Sequence, residues 1–280
     1  MDWLHHVAIL GESVASRALT FLNVIEAMDG PIKPGASVLD FGCGAGDMVR
    51  DLCTMGFDAF GCDLAFKKGP ALDGLKRAGR VKLIDPHPYA LPFDDGVFAI
   101  VVSDQVFEHV LDLDSALREM ERVLRPGGVT LHIFPSRYTP IEPHTLVPGA
   151  TLCRRHAWLR LWARLDIRDG LRDGEAASVA ARRNRDYLLT CTNYLTKRQI
   201  RGAFACHFPG VEFCEREFLD FGEGAWLLRR ALAAVPGFPE LYSTVRGRVL
   251  FSRKAPLNSE LPHWTQRRAG LLSGLSRPRP

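Results

Sequence analysis

The 280-residue sequence lacks the features that mark several classes of protein. Its seven cysteines include no C-x-x-C pair, so neither a disulfide framework nor a metal site is expected. The net charge of +4 is small for a nucleic-acid-binding protein, and we expect no nucleic-acid partner. No apolar run approaches the ~18 residues of a membrane span. The first residues also lack the pattern of a signal peptide, so the sequence predicts a cytoplasmic protein.

Short apolar strands alternate with helices in the first half of the chain. The predicted strands are Ser37–Asp40, Ala59–Cys62, Val81–Ile84, Val97–Val102 and Val129–Phe134, and the predicted helices are Glu12–Met28, Asp47–Met55 and Asp114–Leu124. Two further strands are expected around Val211–Phe218 and Arg248–Phe251. This pattern predicts an α/β fold with a doubly wound, mostly parallel seven-stranded sheet.

The alternation stops after residue 135. Residues 136–195, rich in Pro, Trp and Arg, are expected to form a helical lid inserted after the fifth strand that helps to bind an acceptor. Residues 1–135 then form the N-terminal helix and the cofactor-binding half, and residues 196–253 complete the sheet. Thr196 is a plausible N-cap for a helix over Lys197–Phe204, and residues 254–280 are predicted to be a partly disordered tail.

A glycine-rich turn links the first strand to the next helix through Gly42, Gly44 and Gly46. Glycines let a ligand approach the backbone closely, although such a turn also serves plain packing. A dinucleotide fingerprint would place its third glycine at position 47, which is Asp47. A carboxylate there would repel a pyrophosphate at the helix N-terminus, and Asp40 adds a second negative charge. A cationic or zwitterionic ligand therefore fits better than a diphosphate.

Asp63 lies seventeen residues after Gly46, at the end of the second strand. An acid at this place can accept hydrogen bonds from both hydroxyls of a ribose. The alternative is a turn residue or a helix cap.

Four sequence blocks in order resemble the class I methyltransferases. They are Val38–Gly46, Leu91–Gly96, Phe107–Val110 and Arg118–Gly128, and they are similar to the small-molecule group related to the ubiquinone-biosynthesis methyltransferases. The resemblance implies S-adenosyl-L-methionine as the cofactor. It also implies a set of cofactor-binding residues: Asp40, Phe41, Gly42, Cys43, Gly44 and Gly46 around the methionine part, Asp63 and Leu64 at the ribose, and Ser103 and Gln105 after the fourth strand.

Two positions depart from the family pattern. The acid that often binds the adenine amine is replaced by His87, with Asp85 two residues earlier, so these two are the candidates for the adenine contact. The usual Phe-Asp of the fourth strand is Phe98-Ala99. We expect Ala99 to be tolerated.

Two histidines are candidates for chemistry on the methyl acceptor. A hydroxyl acceptor benefits from a general base, most often His, and ligands bind at the carboxyl ends of the strands. His109 follows the fourth strand, and His144 lies in a proline-rich loop after the fifth. Either could instead be structural. His132, within a strand, is expected in the core.

The acceptor itself is inferred mainly from what is missing. No Asn/Asp-Pro-Pro-Tyr/Phe block follows the fourth strand, which argues against methylation of a nucleobase amine. O-methylation of a small molecule or a sugar or glycan intermediate is the first prediction. The alternatives are a catalytically inactive binding protein and a nicotinamide-dependent oxidoreductase.

The insertion carries a local excess of positive charge. Residues 151–200 contain eleven Lys and Arg against five Asp and Glu. A helix over Ala157–Arg168 would align Arg160, Arg164 and Arg168 beside an apolar face of Leu161, Trp162 and Leu165. Such a helix could be a solvated lid, attract an anionic or lipid-linked acceptor, or make a peripheral membrane contact.

Overall fold

The computed structural model describes residues 17–165, 175–221 and 226–256. The strands are β1 Ser37–Phe41, β2 Asp58–Asp63, β3 Val81–Leu83, β4 Asp85–Pro86, β5 Tyr89–Ala90, β6 Phe98–Asp104, β7 Leu124–Pro135, β8 Gly210–Phe213 and β9 Gly247–Arg253. The α-helices are α1 Arg17–Asp29, α2 Asp47–Thr54, α3 Leu72–Arg77, α4 Leu113–Val123, α5 His156–Arg164, α6 Ala177–Thr190, α7 Lys197–Ala205, α8 Glu215–Phe221, α9 Trp226–Ala233 and α10 Phe238–Val245.

Seven strands form one sheet in the order β3-β2-β1-β6-β7-β9-β8. The first five are parallel neighbours, and β9 runs antiparallel to both β7 and β8. The chain reverses its direction of winding between β1 and β6, because β2 and β3 lie on one side of β1 while β6 and β7 lie on the other. The predicted doubly wound, mostly parallel sheet is confirmed, and its ligand crevice is expected at the carboxyl ends of β1 and β6.

Helices cover both faces of the sheet. Helices α1, α2 and α8 pack on one face, where the core includes Phe21, Leu52 and Phe218. Helices α4 and α7 pack on the other, around Met120 and Phe204. The strands between these layers read as continuous apolar runs because both of their faces are buried.

One predicted strand is wrong in its second half. The strand expected around Val211–Phe218 ends at Phe213, and Glu215–Phe221 is helical. Glu215 and Glu217 lie in the first turn of this helix, where negative charge stabilises the helix dipole. Phe218 and Leu219 are buried at helical spacing from Glu215.

The N-cap prediction at Thr196 is confirmed. Its side chain accepts a hydrogen bond from Gln199 N, and the Gln199 side chain bonds back to Thr196 N in a capping box. Of the predicted N-terminal helix, residues 17–29 are helical and the earlier residues lie outside the described part of the chain.

The insertion contains two helices, α5 and α6, that share a small core of their own. Leu159 and Ala163 of α5 are buried, whereas Leu161 and Leu165 are 46% and 53% exposed. The prediction is therefore wrong for Leu161 and Leu165, whereas Trp162 packs against the same small core as Leu159 and residues of α6. Arg160 and Arg164 are exposed as expected, and Arg168 lies outside the described residues. Among the described helices, none is long and apolar enough to cross a membrane.

Candidate active site at the carboxyl edge of the sheet

The glycine turn after β1 has the backbone conformation that only glycine adopts easily. Gly42, Gly44 and Gly46 have φ angles of 80°, 53° and 82°. A Cβ on Gly42 would lie 2.4 Å from a methyl of Val106, and one on Gly46 would lie 2.5 Å from Leu75. Packing therefore explains these two glycines without a ligand. At Gly44 a Cβ would lie 3.5 Å from the flexible Lys67 stem, which is an ordinary contact, so close packing does not explain this glycine.

Asp63, at the end of β2, is bonded to the glycine turn. Its Oδ2 accepts a hydrogen bond from Gly44 N at 2.8 Å, and its Oδ1 accepts one from Ala65 N at 3.2 Å. Each carboxylate oxygen has two lone pairs, so both oxygens can still accept from the hydroxyls of a ribose. The adjacent Leu64 is 58% exposed and offers an apolar surface beside that position.

Negative charge is concentrated beneath the turn. Asp40 is 4% exposed, and burial, with Asp104 and Asp63 nearby, raises its pKa to about 8. Asp104 is bonded through both oxygens to Arg17, at 2.7 and 2.8 Å. Asp47 is paired with Arg50 at 2.8 Å, so its negative charge is partly compensated and would repel a pyrophosphate less than the sequence suggests. Asp63 still makes the site better suited to a cation than to a diphosphate.

The candidate adenine residues lie on a small hairpin made by β4 and β5. Asp85 and His87 are both exposed, and Asp85 Oδ1 accepts a hydrogen bond from His87 N at 2.9 Å. Both side chains are therefore accessible to a ligand. Their contact with adenine stays a prediction.

Of the two predicted cofactor residues at the carboxyl end of β6, Ser103 is buried and Gln105 is exposed. Ser103 is fully buried and its hydroxyl bonds His132 Nδ1 at 2.8 Å, so that side chain is occupied within the sheet. His132 is fully buried, as predicted, and burial lowers its pKa to about 3. Gln105 is exposed and has a φ of 55°, which is uncommon for a residue other than glycine. Such strained positions cluster at functional sites.

The structure brings the two candidate catalytic histidines together. The rings of His109 and His144 have centroids 4.6 Å apart and meet edge to face. Glu108, which the sequence analysis did not select, lies beneath them: its Oε1 is 4.0 Å from His109 Nε2 and 3.9 Å from His144 Nε2. The Glu108 side chain is 1% exposed, and burial raises its pKa to about 8.

This cluster faces the glycine turn. The charge of Lys67, whose stem lies over Gly44, acts on both Glu108 and His144. His144 has a lowered pKa, mainly because of burial. Glu108 could have been recognised from the sequence, because it precedes His109 within the block Phe107–Val110 that resembles the methyltransferases.

A buried glutamate holds the loop that carries His144. Glu142 is fully buried; its Oε2 accepts from His144 N, Thr145 N and Thr145 Oγ1, and its Oε1 accepts from Tyr194 OH at 2.6 Å. Cys191 O, just after α6, bonds His109 Nδ1 at 2.7 Å, and the Tyr187 ring of α6 lies 5.8 Å from His144. The insertion therefore contacts the histidine cluster directly.

Comparison with known proteins finds similarity in the part of the chain that builds this site. Residues 39–132 match the family model of a methyltransferase domain. The ubiquinone/menaquinone biosynthesis C-methyltransferase of Hahella chejuensis is 37% identical over 109 residues, which cover 35% of this chain and 42% of that protein. The norajmaline N-methyltransferase of Rauvolfia serpentina is 31% identical over 116 residues, covering 40% and 39%.

Another relative, the demethylmenaquinone methyltransferase of Beutenbergia cavernae, is 35% identical over 96 residues, covering 34% of this chain and 39% of that protein. The chain thus spans about two fifths of the length of these curated relatives. Among solved structures, phosphoethanolamine N-methyltransferase 2 of Haemonchus contortus aligns with a TM-score of 0.49 and 18% identity, covering 91% of this chain and 57% of that one. A Mesorhizobium loti methyltransferase aligns with a TM-score of 0.47 and 18% identity, covering 82% and 95%.

The matched segment runs from β1 into β7 and contains the glycine turn, Asp63 and Glu108-His109. His144 and the insertion lie outside it. Residues 39–132 accordingly match a methyltransferase domain and are similar to the C-methyltransferases of ubiquinone and menaquinone biosynthesis.

Proposed function

We propose that this protein transfers a methyl group from S-adenosylmethionine to a hydroxyl oxygen of a small molecule or a sugar or glycan intermediate. The observation that supports it best is the convergence of Glu108, His109 and His144 beside the glycine turn. Such groups are suited to activating an acceptor hydroxyl, which must lose its proton when it is methylated.

The chain's residues fit the cofactor. We expect the backbone at Gly44 to lie against the methionine part, the carboxylate of Asp63 to accept the ribose hydroxyls, and the exposed Leu64 to lie beside the ribose. The carboxylate of Asp63 favours a ligand that carries positive charge. When bound, S-adenosylmethionine supplies an electrophilic methyl group on a positively charged sulfur.

The protein's part in the reaction is positioning and proton removal. Positioning of two reactants can supply much of the barrier reduction, about 7–11 kcal/mol in well-oriented cases. Nε2 of His144 is buried and has no hydrogen-bond partner among the described residues, so it is the atom proposed to take the hydroxyl proton. His109 is fixed by its bond to Cys191 O and orients the neighbouring ring.

Cofactor binding tests the first half of this proposal. Calorimetric titration should show one site for S-adenosylmethionine and none for NADH, which separates a methyltransferase from an oxidoreductase. The variant Asp63→Ala should lose about 1.5–3 kcal/mol of binding free energy, roughly tenfold to a hundredfold in affinity. Asp58→Ala, at the opposite end of β2, is the matched control and should bind normally. An unchanged affinity for Asp63→Ala would mean that the ribose is held elsewhere.

Turnover tests the second half. His144→Ala should lower kcat on a hydroxylated acceptor by about 10²–10⁴-fold, the usual contribution of general acid–base catalysis, with unchanged cofactor affinity. His156→Ala, in α5, is the control because that histidine bonds Ser178 O and lies outside the cluster. Equal rates for wild type and His144→Ala would remove His144 from the mechanism. Cofactor binding without methylation of any acceptor would instead favour an inactive binding protein.

The insertion supports a finer proposal about the acceptor. Exposed Arg160 and Arg164 lie one turn apart on α5, and α6 adds exposed Arg182 and Arg185. We propose that this basic surface attracts an anionic or lipid-linked acceptor. Because Leu161 and Leu165 are exposed beside the arginines, a peripheral contact with an anionic membrane is the second candidate.

A further inference from the structure

The cluster of Glu108, His109 and His144 contains three metal-ligand side chains at the edge of the sheet. One ligand-type atom of each lies within 4.8 Å of the others. Glu108 is 2% exposed, and neither of its carboxylate oxygens has a hydrogen-bond partner in the described part of the chain. Buried carboxylates are otherwise paired, hydrogen-bonded or bound to a metal, so this one requires an explanation.

A shared proton does not explain the geometry. A hydrogen bond joins heavy atoms about 2.5–3.2 Å apart. The distances from Glu108 Oε1 to the two imidazole nitrogens are 4.0 and 3.9 Å. A metal ion bonded at about 2.0–2.2 Å to each atom holds two ligand atoms about 3.3 Å apart in tetrahedral geometry and further apart at wider angles. The two Glu108–histidine distances exceed this separation by about 0.6–0.7 Å, and the three ligand atoms all lie within 4.8 Å of one another, so small side-chain movements would bring them around one ion.

The surroundings of His109 are those of a metal ligand. Its Nδ1 lies 2.7 Å from Cys191 O, and a carbonyl oxygen can only accept, so Nδ1 carries the proton. In the neutral ring the lone pair then lies on Nε2, the atom that faces Glu108. A backbone carbonyl that fixes the tautomer in this way is the usual second partner of a metal-bound histidine.

We propose that Glu108, His109 and His144 bind a divalent transition-metal ion, with Zn²⁺ as the best fit. Two imidazoles and one carboxylate suit Zn²⁺ better than Mg²⁺ or Ca²⁺, which prefer oxygen ligands. Three protein ligands leave a position open, as in catalytic zinc sites. The side chains of His109 and His144 are 34% and 27% exposed, so the cluster lies near the protein surface, while His144 Nε2 and both Glu108 oxygens are themselves buried.

The binding proposal stands on geometry alone, but its role in chemistry rests on the proposed function. An acceptor hydroxyl bound at the open position would lose its proton to solvent more readily, because a cation stabilises the alkoxide. His144 would then act as a ligand instead of taking up the proton itself. Either role makes His144 necessary, so activity of that variant does not distinguish them.

Metal binding is therefore measured without substrate. The full chain, freed of metal with a chelator, is titrated with Zn²⁺ by calorimetry and with Co²⁺ by visible absorption. We expect one equivalent to bind, with Co²⁺ bands typical of a site with nitrogen and oxygen ligands. Glu108→Gln, His109→Gln and His144→Gln should each weaken binding at least tenfold, and Zn²⁺ should raise the Tm of the wild type more than that of each variant.

A second histidine cluster provides the control. His207 lies 3.0 Å from Asp114 and 3.3 Å from Glu121, far along the chain from the proposed ligands. His207→Gln should bind Zn²⁺ as the wild type does. If one ligand variant fails to fold, the other two decide the question.

The outcomes separate this inference from the proposed function. No saturable Zn²⁺ binding, or wild-type affinity in the ligand variants, overturns the metal site. If chelated protein still methylates its acceptor at full rate, the metal has no part in the reaction while the methyltransferase stands. Asp63→Ala should lose cofactor affinity and keep Zn²⁺ affinity, so failure at one site leaves the other measurable.

Discussion

At the scale of the residue, the site combines buried acids with glycines whose backbone conformation other residues rarely adopt. Asp40 is the clearest case, because burial raises its pKa to about 8 while the unfolded chain leaves it near 3.8. The folded protein therefore holds a proton on Asp40 between these two values and the unfolded chain does not. This proton stabilises the folded state at low pH, and the stabilisation is lost as the pH rises towards 8.

Asp40→Asn removes this dependence. Relative to the wild type, the variant should gain stability as the pH rises from 5 to 8, because each unit of pKa difference is worth about 1.4 kcal/mol. Urea unfolding at both pH values measures the effect. Asp73→Asn, an exposed acid in α3, is the control and should follow the wild type. A constant difference between Asp40→Asn and the wild type across this range would mean that Asp40 is ionised in the folded state.

Some of these residues could be predicted from the sequence and others could not, for a physical reason. Gly44 and Asp63 were predicted because both follow buried strands, and parallel strands bring their carboxyl ends to one edge. Glu108 was passed over because an acid beside a family histidine looks like an ordinary surface residue. In the fold it lies beside a segment far along the chain, since Asn193 N donates a hydrogen bond to Glu108 O at 2.5 Å across 85 residues. No metal site was expected because only the cysteines were considered, and the two histidines of the cluster are separated in the chain.

At the scale of the element, the loop between β7 and α5 is organised by one buried carboxylate. Glu142 accepts four hydrogen bonds, three from its own loop and one from Tyr194 near the end of the insertion. The pKa of Tyr194 is raised, mainly by burial and also by this bond, so the phenol keeps its proton. The loop thereby presents His144 to the crevice in one orientation.

Tyr194→Phe removes the hydroxyl without changing the ring. We expect a loss of about 1.5–3 kcal/mol in the free energy of unfolding, because the acceptor is charged. Turnover should fall more than cofactor affinity, since His144 moves with the loop. Tyr138→Phe, an exposed tyrosine of the same loop, is the control and should change neither value. Full activity in Tyr194→Phe would show that Glu142 positions His144 without help from Tyr194.

Local patterns decided which elements were predicted correctly. Helix α7 has a capping box that is visible in the sequence, and β1 and β2 are apolar runs closed by turn residues. The apolar face of α5 was assigned wrongly because Leu161 and Leu165 have the right spacing for a buried stripe. Leu159 and Trp162 instead pack with residues of the partner helix α6 in one small core. Which of two stripes is buried is decided by tertiary packing.

At the scale of the whole molecule, the methyltransferase domain and the insertion contribute different parts of the site. The domain provides the glycine turn, Asp63, Glu108 and His109, while the loop and insertion provide His144, Tyr187 and the basic surface. The relatives differ in the atom that their names say they methylate, carbon or nitrogen. We infer that the insertion, outside the matched segment, determines the acceptor of this chain.

The basic surface is tested by charge removal. Replacing Arg160 and Arg164 together with Gln should raise the acceptor KM and flatten its dependence on salt, because long-range attraction is screened over about 10 Å at 0.1 M ionic strength. Cofactor affinity should not change. Replacing Arg118 and Arg125, two exposed arginines of the sheet domain, is the matched control. If acceptor kinetics and liposome association both stay at wild-type values, the arginines are only a solvated face.

A crystal structure with S-adenosylhomocysteine tests the central claim most directly, because it shows which groups face the sulfur. The account predicts the ribose hydroxyls on Asp63, the amino-acid part at Phe41–Gly44, and the sulfur directed towards His109 and His144. A ligand bound elsewhere, or a sulfur directed away from both histidines, would contradict the proposal that this cluster activates the methyl acceptor.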